Sequence, residues 1–248
     1  KIFFLNKEYV NLNEKLFFCK ENKFNISFTH HYNLDYYTKK TNSHYYFIPF
    51  AFDKDRFEKN KKKKDIDIGF SGILQNSNKN SGHSDIRRRI TKKLFYTFFD
   101  IPVVKKNKDL NIFWNVVPSN RIVRKISERL QYYKYYTIDE YISKLLRSKI
   151  YINTLSPFNL VSPRYFETLA SGSMLLCQNS NIYEKVFNYD FKYFTFEDDL
   201  SDFDYKLRQI LKNYSQYKDM IEKNKKNVCE NHSWDNRIKT INSIIQKY

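Results

Sequence analysis

Short apolar runs alternate with stretches of helical periodicity between residues 65 and 196. The apolar runs have the length of buried strands, and the stretches between them place apolar residues on one face of a helix. Strands that alternate with helices predict a doubly wound, parallel α/β sheet. The predicted strands lie at 65–72, 111–116, 149–153, 173–177 and 191–196.

Helices are predicted between these strands from apolar stripes and capping residues. A capping-box sequence at 137–140 predicts the start of one helix, and another is expected over 198–214. We expect Ser84 to cap the helix that follows the first strand. The apolar stripe of that helix is predicted to consist of Ile86, Ile90, Leu94 and Phe98.

The two ends of the chain predict further parts. Residues 1–47 contain strand candidates at 1–5, 24–29 and 45–48 and a helix candidate at 13–22, which together predict the tail of a second Rossmann-like unit. The charged segment 48–64 is predicted to be a linker, and 65–228 is then the main domain. Residues 229–248 predict a terminal helix that crosses back onto the 1–47 unit or the junction through Trp234, Ile238, Ile241 and Ile245.

One segment combines a helix start with charged side chains. Ser162 suits the N-cap position, Pro163 suits the first helical turn, and Gly172 suits the position just after the helix ends. The start of a helix that follows a parallel strand offers free backbone N–H groups and the positive end of the helix dipole. Arg164 adds a cation there, and Glu167 adds a carboxylate one turn later. This combination predicts a site for a nucleotide-sugar diphosphate.

The Pro-Arg-Tyr-Phe-Glu sequence at 163–167 resembles the donor-binding segment of GT-B glycosyltransferases of the large group 1, family 4-like set. The segment 47–53 and the Ser-Trp-Asp-Asn-Arg sequence at 233–237 also resemble parts of those enzymes. The resemblance covers the chain well from about residue 45 to the end. It implies a GT-B fold with two Rossmann-like units, and transfer of a sugar from a nucleoside diphosphate to a hydroxyl of a glycan or glycolipid without a metal.

The resemblance also implies roles for individual residues. Glu167 is expected to bind the ribose of the donor, and Arg164 with its neighbours Ser162 and Pro163 to face the diphosphate. Enzymes of this group commonly carry a second Glu, with seven residues between the two. This chain has Asn159 at that position, which can form hydrogen bonds but has no charge. The remaining donor-binding candidates are Ser71 and Gly72 at the end of the first strand, Arg87 near a helix start, and Tyr136 and Thr137 beside the nucleotide base.

Candidate catalytic residues are fewer. His30 and His31 follow a predicted strand in the first unit, and an imidazole there could remove the proton of an acceptor hydroxyl. A pair of loop histidines without a catalytic role explains the same pattern. No cofactor is implied beyond the nucleotide sugar as co-substrate, and no metal ligand set is predicted.

The formal charge of +17 predicts an anionic partner or reflects AT-rich coding, which also yields abundant Lys, Asn, Ile, Phe and Tyr. Two alternatives to an enzyme stay open: a basic nucleic-acid-binding protein, and a GT-B-like binding module without catalysis. The nucleic-acid alternative lacks a zinc spacing, an RNA-binding strand motif and a helix-turn-helix signature. An acidic membrane surface is a further candidate partner.

Three widely spaced cysteines indicate a reducing, cytoplasmic setting, with peripheral membrane association as an option. The chain begins at Lys1 and enters a strand at once, so we expect a fragment of a larger enzyme.

Overall fold

The computed structural model describes residues 1–6, 10–58, 62–74, 85–118, 120–156, 159–187 and 191–248. Within them the chain forms two compact units. Unit 1 comprises Lys1–Phe52 and Glu230–Tyr248, and unit 2 comprises Asp53–Cys229. The predicted cap Ser84 and part of the predicted linker lie outside the described residues.

The described strands and helices alternate along much of the chain. The strands are β1 (Ile2–Leu5), β2 (Ile26–Thr29), β3 (His44–Phe47), β4 (Ile66–Leu74), β5 (Phe95–Phe98), β6 (Ile101–Lys105), β7 (Ile112–Pro118), β8 (Ser148–Asn153), β9 (Met174–Gln178) and β10 (Phe194–Phe196). The helices are α1 (Leu12–Asn22), α2 (Leu34–Thr41), α3 (Asp55–Glu58), α4 (Ile86–Leu94), α5 (Arg121–Arg129), α6 (Ile138–Arg147), α7 (Pro163–Ala170), α8 (Ile182–Phe187), α9 (Phe203–Lys212), α10 (Lys218–Asn231) and α11 (Trp234–Ile245).

Unit 1 is built on a three-stranded parallel sheet in the order β1-β2-β3. Alternate residues of a strand point to opposite faces of the sheet. Both faces of this sheet are covered by apolar clusters. One apolar cluster joins the sheet to α1 and α2 through Leu5, Leu16, Cys19, Tyr37 and Tyr45. The other joins Ile26, Phe28 and Ile48 to three isoleucines of α11, namely Ile241, Ile244 and Ile245.

The terminal helix therefore packs against the 1–47 segment, as the sequence predicted. Ile241 and Ile245 lie in the predicted contact. Trp234 and Ile238 keep about half of their surface exposed, at 47% and 53%, and the backbone N–H of Trp234 donates to the Phe52 oxygen at 3.2 Å.

Unit 2 is built on a five-stranded parallel sheet in the order β10-β9-β8-β4-β7. The chain moves from β4 to β7 on one side and later returns to pair β8 on the other side, so the strand order reverses between β4 and β8. Its main core contains buried side chains such as Ile68, Leu94 and Leu176. The doubly wound, parallel α/β class predicted from the sequence is confirmed.

Local differences from the sequence predictions occur where aromatic residues replace helix formers. Helix α4 ends at Leu94, and Phe98, predicted to extend its stripe, lies in β5, which pairs with β6 as an antiparallel hairpin. Phe-Tyr-Thr-Phe at 95–98 contains residues that favour strands over helices.

The predicted linker contains α3, a helix of a single turn. Among the described residues, no helix combines the length and apolar character needed to cross a bilayer.

Candidate functional site

Several predicted site residues of unit 2 lie at the point where its strand order reverses. Open α/β sheets bind ligands in the crevice at the carboxyl ends of the strands at such a point. Here α4 follows β4 and α7 follows β8, and both helices begin beside that edge of the sheet. A cleft of about 510 Å³ lies there, and its lining includes Ser71, Gly72, Tyr136, Thr137 and Arg164.

Helix α7 begins and ends as its sequence predicts. Ser162 occupies the N-cap position with extended backbone, and Pro163 is the first helical residue. The Ser162 hydroxyl makes no capping hydrogen bond, so this residue contributes its backbone conformation rather than a side-chain cap. Gly172 follows the C-cap with a φ of 67°, a conformation that favours glycine. The buried Tyr165 and Phe166 fix the helix on the sheet.

The Arg164 side chain turns back to the end of β4. Its Nη1 donates to the backbone oxygen of Ser71 at 2.5 Å. Its Nε is buried and has no hydrogen-bond partner among the described residues. A buried donor without a partner costs free energy, so this guanidinium is incompletely satisfied by the chain.

A second guanidinium reaches the same place from α4. Arg87 Nε donates to Thr154 Oγ1 at 2.7 Å, just after β8, and its Nη1 donates to the Ile73 oxygen at 2.9 Å. Burial, together with the charge of Arg164, lowers the pKa of Arg87 to about 10. Of the three arginines at 87–89, the sequence analysis selected Arg87 for the cleft. The structure places its guanidinium beside Gly72, which lines the cleft, and its contact with a donor stays a prediction.

Both guanidiniums lie beside Gly72. A Cβ at this position would lie 3.4 Å from Arg164 Nη1 and 3.5 Å from Arg87 Nη1. Neither guanidinium forms an ion pair with a carboxylate of the described chain. The chain therefore concentrates two positive charges at the end of β4, and within the described residues neither of them is neutralised by an ion pair.

Glu167 lies one helical turn after Arg164 and is partly buried. Its Oε2 accepts a hydrogen bond of 2.9 Å from the Tyr141 hydroxyl. Burial raises the pKa of the Glu167 carboxyl, against the lowering effects of Tyr141 and Arg164. Tyr141, which also lines the cleft, is a site residue that the sequence analysis missed, because no local pattern links it to Glu167.

The segment between α5 and α6 forms another wall of the cleft. Thr137 caps α6 in a reciprocal capping box with Glu140, as predicted, so its hydroxyl is already engaged. The ring of Tyr136 meets Phe113 edge-on at 5.6 Å. Asn115 of β7 fixes the segment by exchanging two hydrogen bonds with the backbone of Lys134, at 3.1 and 3.2 Å.

Asn159 has an exposed side chain and a φ of 55°. Its backbone N–H donates to the Ser156 oxygen at 3.0 Å. Within the described residues, no hydrogen bond joins Asn159 to Arg164 or Glu167. Its predicted contact with a donor stays a prediction.

The two candidate histidines of unit 1 are engaged locally. His30 is buried, places Nδ1 2.6 Å from the Ile48 oxygen, and stacks on Phe50 with ring centroids 3.8 Å apart. His31 Nδ1 accepts from the backbone N–H of Asn33 at 3.1 Å. These contacts explain both side chains as structural, and the role of a general base stays a prediction. The residues that the structure describes contain no group of three His, Cys, Asp or Glu side chains placed to hold a metal ion.

Comparisons with known proteins agree with the geometry. The sequence model of a family described as "Glycosyl transferase-like" matches residues 114–243, just over half of the chain. No curated protein sequence matches the chain. Anabaena Alr3699/HepE, solved in complex with UDP-glucose, superposes with a TM-score of 0.64 at 8% identity, over 100% of this chain and 72% of that one.

A second solved structure is similar in fold. Sucrose-phosphate synthase from Thermosynechococcus elongatus superposes with a TM-score of 0.57 at 11% identity, over 98% of this chain. This chain spans only 63% of that enzyme's length. At identities of 8% and 11%, the similarity to these two structures shows a shared fold and nothing more specific.

Proposed function

The chain belongs to the glycosyl transferase-like family, and on that basis we propose that unit 2 binds a nucleoside-diphosphate sugar in the crevice between the ends of β4 and β8. The resemblance to GT-B enzymes of group 1 is confirmed by the family match and the fold. The proposed reaction moves the sugar to a hydroxyl of a glycan or glycolipid. The observation that carries the proposal is the pair of guanidiniums that converge on Gly72.

Arg87 and Arg164 suit a diphosphate because they supply positive charge that no ion pair within the described residues neutralises. Two like charges in a partly buried site repel each other, which disfavours the unliganded state. A diphosphate between them removes that repulsion and gives Arg164 Nε an acceptor. Arginine matches phosphate geometry well, because its guanidinium presents several donors in one plane.

Glu167 suits the ribose of the same ligand. Tyr141 occupies Oε2, so Oε1 is left to accept from a sugar hydroxyl. The Tyr141 hydroxyl holds the carboxylate in place, which makes it a positioning residue. Tyr136, half-buried on the opposite wall of the cleft, offers an aromatic ring to a nucleotide base.

The proposed chemistry is stabilisation of the leaving group. As the bond between the sugar and the β-phosphate oxygen breaks, negative charge develops on the diphosphate. Preorganised cations and the N-terminal end of α7 stabilise that charge more in the transition state than in the ground state. Arg87 and Arg164 supply this charge in the proposal without a metal ion.

The solved structure of HepE with UDP-glucose supports the choice of a nucleotide-sugar donor, because that protein has the same fold and holds such a ligand. Uridine diphosphate and UDP-glucose are therefore the first ligands to titrate, followed by the other nucleoside diphosphates.

Calorimetric titration of the wild type and of Glu167→Ala tests the proposal. The substitution removes charge-assisted hydrogen bonds of about 1.5–3 kcal/mol each, so affinity should fall by at least roughly tenfold even with partial compensation by water. Glu184→Ala is the matched control, since it removes an exposed carboxylate of α8 in the same unit. Unchanged affinity in folded Glu167→Ala would remove Glu167 from the site. Release of free nucleotide from the sugar donor in the presence of an acceptor would distinguish an enzyme from a binding module.

A further inference from the structure

Helix α5 presents a row of exposed aliphatic side chains to solvent. Ile122, Ile126 and Leu130 follow each other at intervals of four residues and are 70%, 48% and 58% exposed. Residues four apart lie on the same helix face, so the three form one continuous stripe. Large apolar groups gathered in this way mark an interaction surface more often than scattered ones do.

A row of cations lies directly beside this stripe. Each aliphatic residue is preceded by a basic one, and the side chains of that basic row are also exposed. They form no ion pair with the described residues of the chain. The basic row consists of Arg121, Lys125 and Arg129.

The rest of the helix is firmly held, so the two rows keep their orientation. Asn120 caps α5 by accepting from the backbone N–H groups of Ile122 and Val123 at 2.9 and 3.2 Å. On the protein side, Ser127 is buried and Arg124 Nε donates to the Pro118 oxygen at 3.1 Å. The outward rows therefore belong to an anchored helix.

Other basic or apolar surfaces of unit 2 are arranged differently. The β5–β6 hairpin also exposes aromatic and aliphatic side chains, but the neighbouring cations Arg88 and Lys92 pair with Asp100. Lys106 of the same surface donates to the Lys92 oxygen and lies over the Tyr96 ring. Helix α10 carries exposed lysines, yet none of its described residues is an exposed large apolar side chain.

We propose that α5 is a docking surface for an anionic lipid bilayer. The aliphatic row would enter the boundary between headgroups and acyl chains, while the basic row would contact lipid phosphates. A nucleic acid fits less well, because its phosphates would satisfy the cations but leave three aliphatic side chains in water. The two adjacent rows thus match the two layers of a bilayer surface.

The position of α5 connects this surface to the cleft. Tyr133 and Tyr135 come shortly after the helix in sequence, and both line the cleft at the end of β4. If the proposed function holds, a bilayer at α5 brings a lipid-borne acceptor close to the donor. Docking itself does not depend on that function.

Vesicle co-sedimentation tests the proposal with neutral phosphatidylcholine vesicles and with vesicles that contain one third phosphatidylglycerol. The wild type should bind the anionic vesicles and should bind the neutral ones weakly. Ile122→Ser/Ile126→Ser/Leu130→Ser should reduce binding to anionic vesicles at least tenfold. Arg121→Gln/Lys125→Gln/Arg129→Gln should reduce it about a hundredfold, from about 1 kcal/mol for each cation near the surface.

The matched control removes the same charge from α10. Lys218→Gln/Lys223→Gln/Lys226→Gln should keep most of the vesicle binding, because this helix has no apolar row. All substituted side chains of α5 are exposed, so the thermal midpoint and the affinity for a nucleoside diphosphate should stay unchanged.

Three results would overturn the proposal. Equal losses in the α5 and α10 charge variants would mean that net charge alone drives binding. Full vesicle binding by the aliphatic variant, together with tight binding of single-stranded RNA that only the charge variant loses, would indicate a nucleic-acid surface. A dimer in light scattering that dissociates in the aliphatic variant, without vesicle binding by the wild type, would show that a second copy covers α5.

Discussion

Unit 1 holds a buried arginine and unit 2 a partly buried one, and the two are satisfied in opposite ways. In unit 1, Arg237 donates to the backbone oxygens of Pro49, Phe50 and Asn231 at 2.9, 3.2 and 3.3 Å and contacts His232 Nδ1 at 2.6 Å. In unit 2, Arg164 donates to one carbonyl, keeps an unpartnered Nε among the described residues, and lies near a second cation.

This difference is the one expected between a structural cation and a cation that binds a ligand, which is the role proposed for Arg164. Arg237 ties the start of α11 to the segment after β3, and its donors match fixed acceptors of the chain. Arg164 is held in place without being fully satisfied, which is the state expected of a side chain that awaits an anionic ligand. We therefore expect loss of the Arg237 side chain to lower stability, and loss of the Arg164 side chain to lower ligand affinity.

The largest expected effect is on stability in unit 1. Arg237→Met should lower the free energy of unfolding by about 4 kcal/mol, because it leaves several buried carbonyls without donors. Unit 1 contains Trp234 and unit 2 contains Trp114, the only two tryptophans of the chain. In a Trp114→Phe background, urea unfolding followed by tryptophan fluorescence reports on unit 1 alone. Arg164→Met is measured in the converse Trp234→Phe background, which reports on unit 2. A loss in Arg237→Met no greater than the loss in Arg164→Met would contradict the difference between the two arginines.

The pH dependence of unit 1 gives the next effect. Burial, followed by the charge of Arg237, lowers the pKa of His232 from 6.5 to about 4. Between these values the unfolded chain binds more protons than the folded one, so stability is present above pH 6.5 and is lost as pH falls towards 4. The loss should be roughly 3 kcal/mol.

His232→Asn provides the control for that measurement, because asparagine can accept from Arg237 but does not titrate. Carboxyl groups also titrate in this range, so the difference between wild type and variant is the quantity to follow. A difference that does not change between pH 7 and pH 4 would contradict the assignment.

A smaller effect is expected on affinity in unit 2. Arg164→Met should weaken binding of a nucleoside diphosphate about a hundredfold, or about 2.7 kcal/mol, through the loss of charge-assisted hydrogen bonds. Its free energy of unfolding should stay close to that of the wild type, since the repulsion lost with Arg87 offsets the attraction lost with Glu167. A strong loss of stability with unchanged affinity would place Arg164 in the same class as Arg237.

The fold could be predicted from the sequence where the signal is local. Buried strands such as β8 and β9 are short apolar runs, and the limits of α7 follow from Ser162, Pro163 and Gly172. Helix α5 was not predicted, because Ile122 and Ile126 face solvent and do not form a core stripe. Thr154 and Tyr141 were missed as partners of Arg87 and Glu167, since the contacting residues are far apart in sequence.

The smallest effects concern the ends of helices in the two units. Gly172 follows α7 with a φ of 67°, and a Cβ there would have ordinary contacts, so Gly172→Ala should cost about 1 kcal/mol from backbone strain alone. In unit 1, Lys23 follows α1 with a φ of 50°. Lys23→Gly should stabilise unit 1 by about 0.5–1 kcal/mol. Chemical denaturation measures both changes in the free energy of unfolding. Changes of the same sign in Gly172→Ala and Lys23→Gly would contradict the roles assigned to these two backbone conformations.

A crystal structure of the chain with a bound nucleoside diphosphate tests the central claim most directly. The account predicts the diphosphate at the ends of β4 and β8, with phosphate oxygens within hydrogen-bonding distance of Arg87 and Arg164, including Arg164 Nε. It also predicts a ribose hydroxyl on Glu167. A nucleotide bound elsewhere in the chain, with the two guanidiniums still unpaired, would contradict it.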